Sequence, residues 1–227
     1  MNIQNTVLLA SGIINLIMSV YILSRGWKNK VNLYFSLLTF FNSMWAAGLI
    51  VINAGVSHEM TRFFASFIYP VALMIIVSLF YFIIYFPYKT FELSKLYRWL
   101  INIFIVVTTL FCIFFYKIFV YNVALVPKLV VYYEIWSYSA YSLVLTMLML
   151  SGVIVLFSKL KKSESVFKFQ LKLILVAVIM GTIAGSYFNL FLMYFHNCDY
   201  NHLGPLFTLL MNFAVFYLIM SPKIIKE

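Results

Sequence analysis

RFFASFIYPVALMIIVSLFYFIIYFP, Arg62 to Pro87, is the stretch that decides the fold. After Arg62 it holds no charged side chain, and only Ser66, Ser78 and tyrosine hydroxyls interrupt its hydrocarbon. An α-helix rises about 1.5 Å per residue, so roughly 20 apolar residues cross a hydrocarbon layer of about 30 Å. A bilayer is the solvent in which such a surface is stable, because a helix satisfies every backbone donor and acceptor within itself.

Outward from this stretch, six further runs share its length and character. The seven spans are expected at 3–24, 33–54, 63–87, 99–119, 133–157, 172–195 and 203–221. Composition agrees: 65% of the 227 residues are hydrophobic and 10% charged, against roughly 45–50% and about 25% in a soluble domain. The expected fold class is an all-α integral membrane protein, a seven-transmembrane helix bundle forming a single domain over 1–227. The first run is not a removable signal peptide. Met1 to Thr6 carry no positive charge, and the run exceeds the usual apolar core of about 7–15 residues.

The net charge is +10, but the basic residues sit in short clusters between spans and form no single soluble face, so nucleic acid is not an expected partner. Lys and Arg mark cytoplasmic loops. Arg25, Lys28 and Lys30 follow span one, and Lys89, Lys95 and Arg98 separate spans three and four. Lys159, Lys161, Lys162, Lys168 and Lys172 surround the polar loop Ser158–Lys168, and Lys223 and Lys226 lie in the tail. The opposite side has only Arg62, Lys117 and Lys128. This division places the amino end outside and the carboxyl end in the cytoplasm. Residues 118–132, IFVYNVALVPKLVVY, are apolar but contain Pro127 and Lys128. They are expected at the outer interface, or as helix extensions above the membrane, and not as a further span.

The acids Glu59, Glu92, Glu134, Glu164, Asp199 and Glu227 all fall in loops or at span ends. An ionisable group at mid-membrane costs at least ~2.5 kcal/mol, and no span carries one centrally. Ion-driven transport normally needs buried carboxylates or broken helices at the midplane, and neither is visible. Span seven has no lysine for a retinal-type chromophore. No span holds a nucleophile with its base, paired acids or an H-E-x-x-H motif. The chain is therefore not expected to be an enzyme, and no cofactor is implied. Cys112 and Cys198 make no disulfide framework and read as free thiols.

Polar and aromatic residues remain. Tyr69, Glu134, Trp136, Tyr138, Tyr141, Tyr187 and Asn189 fall in the outer half of the spans. One reading is an interfacial aromatic belt; the other is an outward-opening pocket for a small ligand, with Glu134 supplying its charge. His196, Cys198, Asp199 and His202 share one outer loop, where a metal- or pH-sensing site competes with ordinary solvated residues. Their spacing matches no standard zinc motif. Asn42, Trp45 and Asn212, with Gly181 and Gly185 in a small-xxx-small pattern, are assigned to helix packing.

Span two reads LLTFFNSMWAAGLIV with Trp45 and Gly48, span three carries Pro70, and Gly204-Pro205 opens a last span that closes through Tyr217 into a basic tail. With seven spans and a short basic first loop, this pattern resembles the amino-terminal seven-transmembrane region of bacterial sensor histidine kinases across essentially the whole chain. The resemblance implies a receptor in the bacterial cytoplasmic membrane. It would detect a signal outside or within the bilayer and pass it through span seven to a cytoplasmic signalling domain or protein, as a homodimer. No dimerisation helix with a phosphorylatable histidine and no nucleotide-binding motif follows in the chain. A small-solute or lipid transporter and a non-catalytic anchor or assembly subunit are the alternatives.

Overall fold

The computed structural model describes residues 3–89, 92–125, 129–163 and 165–220. Its first four helices are α1 (Ile3–Ser24), α2 (Lys30–Ala54), α3 (His58–Tyr85) and α4 (Lys95–Phe114). A single turn, α5 (Tyr116–Phe119), leads into strands β1 (Val120–Ala124) and β2 (Val130–Tyr133). α6 (Ile135–Lys162) and α7 (Ser165–Ser186) follow. α7 continues through a π-helical segment (Tyr187–Phe191) into the short α8 (Leu192–Tyr194). After a loop, α9 (Leu203–Met220) completes seven helices long and apolar enough to cross a membrane.

Local chemistry sets the helix ends. Asn29, Ser57 and Ser94 accept from the backbone N–H of Val31, Met60 and Tyr97, capping α2, α3 and α4. α2 stops at Gly55, whose φ of 57° is left-handed and disfavours any residue with a Cβ.

α3 is the central helix, packed against α2, α4, α6 and the first strand. α9 packs on α7, α1 and α2. α4 buries only Cys112 and exposes Trp99, Val106, Val107 and Phe114, the surface expected of a helix bathed in lipid.

Two features differ from the sequence expectation. Residues 118–132 do not extend the helices beyond α5; β1 and β2 pair antiparallel as a hairpin. VYNVA and VVYY are rich in β-branched and aromatic side chains, which favour a pleated pair. Pro127 and Lys128 lie outside the described residues. Arg62 of α3 clamps the hairpin, its guanidinium donating to the carbonyls of Val120, Lys117 (2.6 Å) and Tyr121 (2.7 Å). Lys117 pairs with Glu59 at 3.1 Å, and Tyr116 donates to the same carboxylate. The hairpin, the α2–α3 turn and the loop before α9 share one end of the bundle, the hairpin face. Asn53 and Asn201 exchange amide hydrogen bonds there. Arg25, Lys30, Lys95 and Lys161 lie at the other end, the basic face.

The second difference lies on the basic face. α6 runs to Lys162 and α7 starts at Ser165, so most of the expected loop Ser158–Lys168 is helix. Lys159, counted above as a loop charge, is 0% exposed. Its ammonium donates to the carbonyls of Ile83 (2.6 Å), Ile84 (2.9 Å), Phe86 (2.8 Å) and Tyr88 (2.8 Å). The last turn of a helix has no intrahelical donors for its carbonyls, and a cation there also suits the helix dipole. Lys159 is thus the C-terminal cap of α3, supplied by α6.

Candidate functional site

Tyr69 sits at the middle of a buried aromatic knot beneath the hairpin. The rings of Phe119, Tyr133, Tyr138 and Tyr141 meet it edge-on at centroid distances of 5.0, 5.3, 5.7 and 5.1 Å. This geometry sets ring edge against ring face, where the quadrupoles attract. The Tyr141 hydroxyl donates to the Tyr69 carbonyl at 2.8 Å, and the Tyr138 hydroxyl to the Leu190 carbonyl at 2.8 Å. The knot therefore ties α3, α6 and the hairpin to the π-helical segment.

On the hairpin-face side of this knot is a cleft of about 540 Å³, lined by Tyr121, Glu134, Tyr138, Tyr194, Phe195 and His196 among others. The Glu134 carboxylate accepts from the backbone N–H of Ser137 (2.6 Å) and Trp136 (3.1 Å), capping α6. Those bonds, the Ser137 N–H foremost, hold its carboxyl below the usual carboxylate range. His196 holds a left-handed φ of 62°, and its Nδ1 lies 3.2 Å from the Val131 carbonyl.

On the other side of the knot is a cavity of about 60 Å³, enclosed by α2, α3, α6, α7 and α9. A water needs at least ~10–15 Å³ of such space, so the cavity admits a few water-sized groups. Trp45, Tyr69, Met149, Thr208 and Met211 contribute to its wall, together with Asn189 of the π-helical segment. Asn189 is 7% exposed, and neither its Oδ1 nor its Nδ2 has a hydrogen-bond partner. π-turns collect at functional sites, and an orphaned buried polar group calls for a physical reason. A Cβ on Gly204 would lie 1.7 Å from Asn189 Nδ2. Glycine at 204 is what lets α9 begin against this amide.

The predicted site residues divide by location. Tyr69, Tyr138 and Tyr141 meet in the knot, Glu134 lines the cleft, and Asn189 lines the inner cavity. Trp136 and Tyr187 line neither space. Trp136 is 81% exposed; two residues from Tyr138, it points about 200° around the helix from it. Tyr187 is half-exposed and stacks on Phe191.

Of the residues assigned to packing, Trp45 is buried in the cavity wall, and Asn42 donates to Leu38 of its own helix. Asn212 donates to Asn15 at 2.8 Å, bridging α9 and α1. A Cβ on Gly181 would meet Met211 at 3.2 Å, whereas one on Gly185 would meet nothing within 4 Å. Only Gly181 makes the close approach expected of the pair.

Among the described residues no three His, Cys, Asp or Glu side chains gather into a metal site, so His196, Cys198, Asp199 and His202 do not converge. Cys198 is buried, and burial pushes its thiol up to about 11. The capping role of Lys159, the Arg62 clamp and the Asn189–Gly204 contact leave no signal in the sequence, since each joins different segments of the chain.

A family model described as the N-terminal 7TM region of histidine kinase matches residues 7–226. No curated protein and no solved structure gives a match.

Proposed function

Since this chain belongs to the family of N-terminal seven-transmembrane regions of histidine kinases, we propose that it receives a signal within the bundle and relays it through α9 to a cytoplasmic signalling domain or protein. Family membership supports a membrane sensory role in general, and sensor regions of this kind are not catalytic by themselves. The observation that carries the relay is the inner cavity, because its wall includes Thr208 and Met211 of α9 as well as residues of four other helices. A ligand that binds one packing of these helices better shifts the population toward it. The last helix is then displaced relative to its neighbours, a small shift of a packed element.

The proposed orientation puts the hairpin face outside and the basic face in the cytoplasm of a bacterial cell. It rests on the Lys and Arg distribution. Two of the three cations on the minority side are also engaged locally, Arg62 with hairpin carbonyls and Lys117 with Glu59. In this orientation the cleft beside Glu134 and Tyr138 opens to the outside, and a small extracytoplasmic ligand is the second form the signal takes.

Spin labels on α9 and α2, at Met220→Cys and Lys30→Cys, test the relay in vesicles containing the full chain. Gly185→Leu, which projects into open space at the cavity, should shift the distance distribution between them. An identical distribution with the cavity filled sinks the relay. Solute uptake by the same vesicles would support transport instead.

A further inference from the structure

Asn189 is a buried amide with both hydrogen-bonding functions open. Leucine has the same branched skeleton of four side-chain heavy atoms and would carry no such desolvation cost, so the amide is not explained by packing. Of the other polar groups in the wall, the Tyr141 hydroxyl donates to the Tyr69 carbonyl and the Thr208 hydroxyl to that of Pro205, while the Tyr69 hydroxyl is buried and, like Asn189, makes no hydrogen bond. A partner for Asn189 must arrive from elsewhere.

The cavity restricts what that partner is. No charged side chain lines it, and an unpaired charge at membrane depth is costly, so the partner is neutral. An amide offers a donor and an acceptor together, and a hydroxyl or a protonated carboxyl answers both. A cavity of about 150 Å³ holds benzene, and about 60 Å³ admits only the slim end of a molecule. Open space lies at Gly185, where α7 faces Leu145 and Met149 of α6 across the cavity. Neither helix is deeply buried, so this side of the cavity is the one nearest lipid.

We propose that the inner cavity binds the polar end of a neutral, lipid-soluble aliphatic alcohol or protonated fatty acid that enters from the bilayer between α6 and α7. Its O–H group bonds the Asn189 amide, and its chain trails past Gly185 into lipid. This rests on the reading of the bundle as a receptor and names the chemistry it receives.

The test uses the full chain in phosphatidylcholine vesicles with two probes, dodecanol and dodecanoic acid, each bearing a diazirine near its polar end. After photolysis the labelled peptides are located by mass spectrometry. Saturable label on residues 181–190 and 204–211, competed by the unlabelled compound, is the expected result, and the probe that labels identifies the source. Asn189→Leu removes the amide and Gly185→Leu occupies the entry, and each should reduce saturable labelling about tenfold or more. Both variants should fold, because one deletes an unpaired polar group and the other adds its Cβ where no atom lies within 4 Å. Label that is unsaturable and unchanged in both variants overturns the site. Saturable label that leaves the α2–α9 distances unchanged supports the site and defeats the sensory reading.

Discussion

At the scale of single residues, Lys159 shows most clearly what a charge count along a chain misses. It lies 71 to 76 residues from the carbonyls it caps, and in sequence it is indistinguishable from Lys161 or Lys162. Replacing it with methionine keeps the apolar stem but leaves several buried carbonyls without donors. Lys159→Met should cost about 2–4 kcal/mol, seen as a lower melting temperature in detergent, while Lys162→Met should change little. Arginine should not rescue, because its planar fork does not match carbonyls gathered around a compact ammonium. Equal melting of the two methionine variants would remove the cap from the account. Gly204 offers a second check. A Cβ there collides with Asn189 Nδ2, so Gly204→Ala should destabilise by about 1–3 kcal/mol. Adding Asn189→Ala should recover part of that loss, and additive losses would mean the two do not touch. Asn189 itself was legible as a polar residue in a span; its glycine partner was not, since nothing local ties residue 189 to residue 204.

At the scale of elements, the hairpin and the start of α6 depend on polar contacts that hydropathy does not record. VYNVA and VVYY score as apolar whether they form strand, helix or interfacial coil, so the sequence placed the segment but not its conformation. What fixes it is Arg62, a charge on another helix. Arg62→Lys keeps the charge but cannot reach three carbonyls at once, and should speed amide exchange across 120–124 and 130–133 without melting α3. Unchanged protection there would mean that the strands hold themselves. The α6 cap depends on pH. Backbone N–H groups hold the Glu134 carboxyl below its ordinary range, so its contribution is full above that range and is lost as pH falls through the depressed value. Exchange at Trp136 and Ser137, corrected for intrinsic rates, should therefore rise on acidification. Glu134→Gln should flatten that dependence, and a wild-type-like profile from this variant would assign the titration to another group.

At the scale of the whole molecule, the seven spans were legible and their packing was not, for one physical reason. A bilayer requires each span to satisfy its own backbone, which leaves a long uncharged run in the sequence. Lipid-facing and helix-facing positions are then equally apolar, so Ile75, buried in α3, and Ile103, exposed on α4, look alike. The orientation is the whole-molecule property on which the cleft and the relay both depend. In right-side-out membrane vesicles, a membrane-impermeant maleimide should label Val56→Cys, exposed on the hairpin face, and spare Lys95→Cys until the membrane is opened. The native thiols Cys112 and Cys198 are buried and should contribute little background. The reverse pattern would turn the bundle over, put Glu134 and its cleft in the cytoplasm and the end of α9 outside, and so defeat both the extracytoplasmic cleft and the relay through α9 to a cytoplasmic partner.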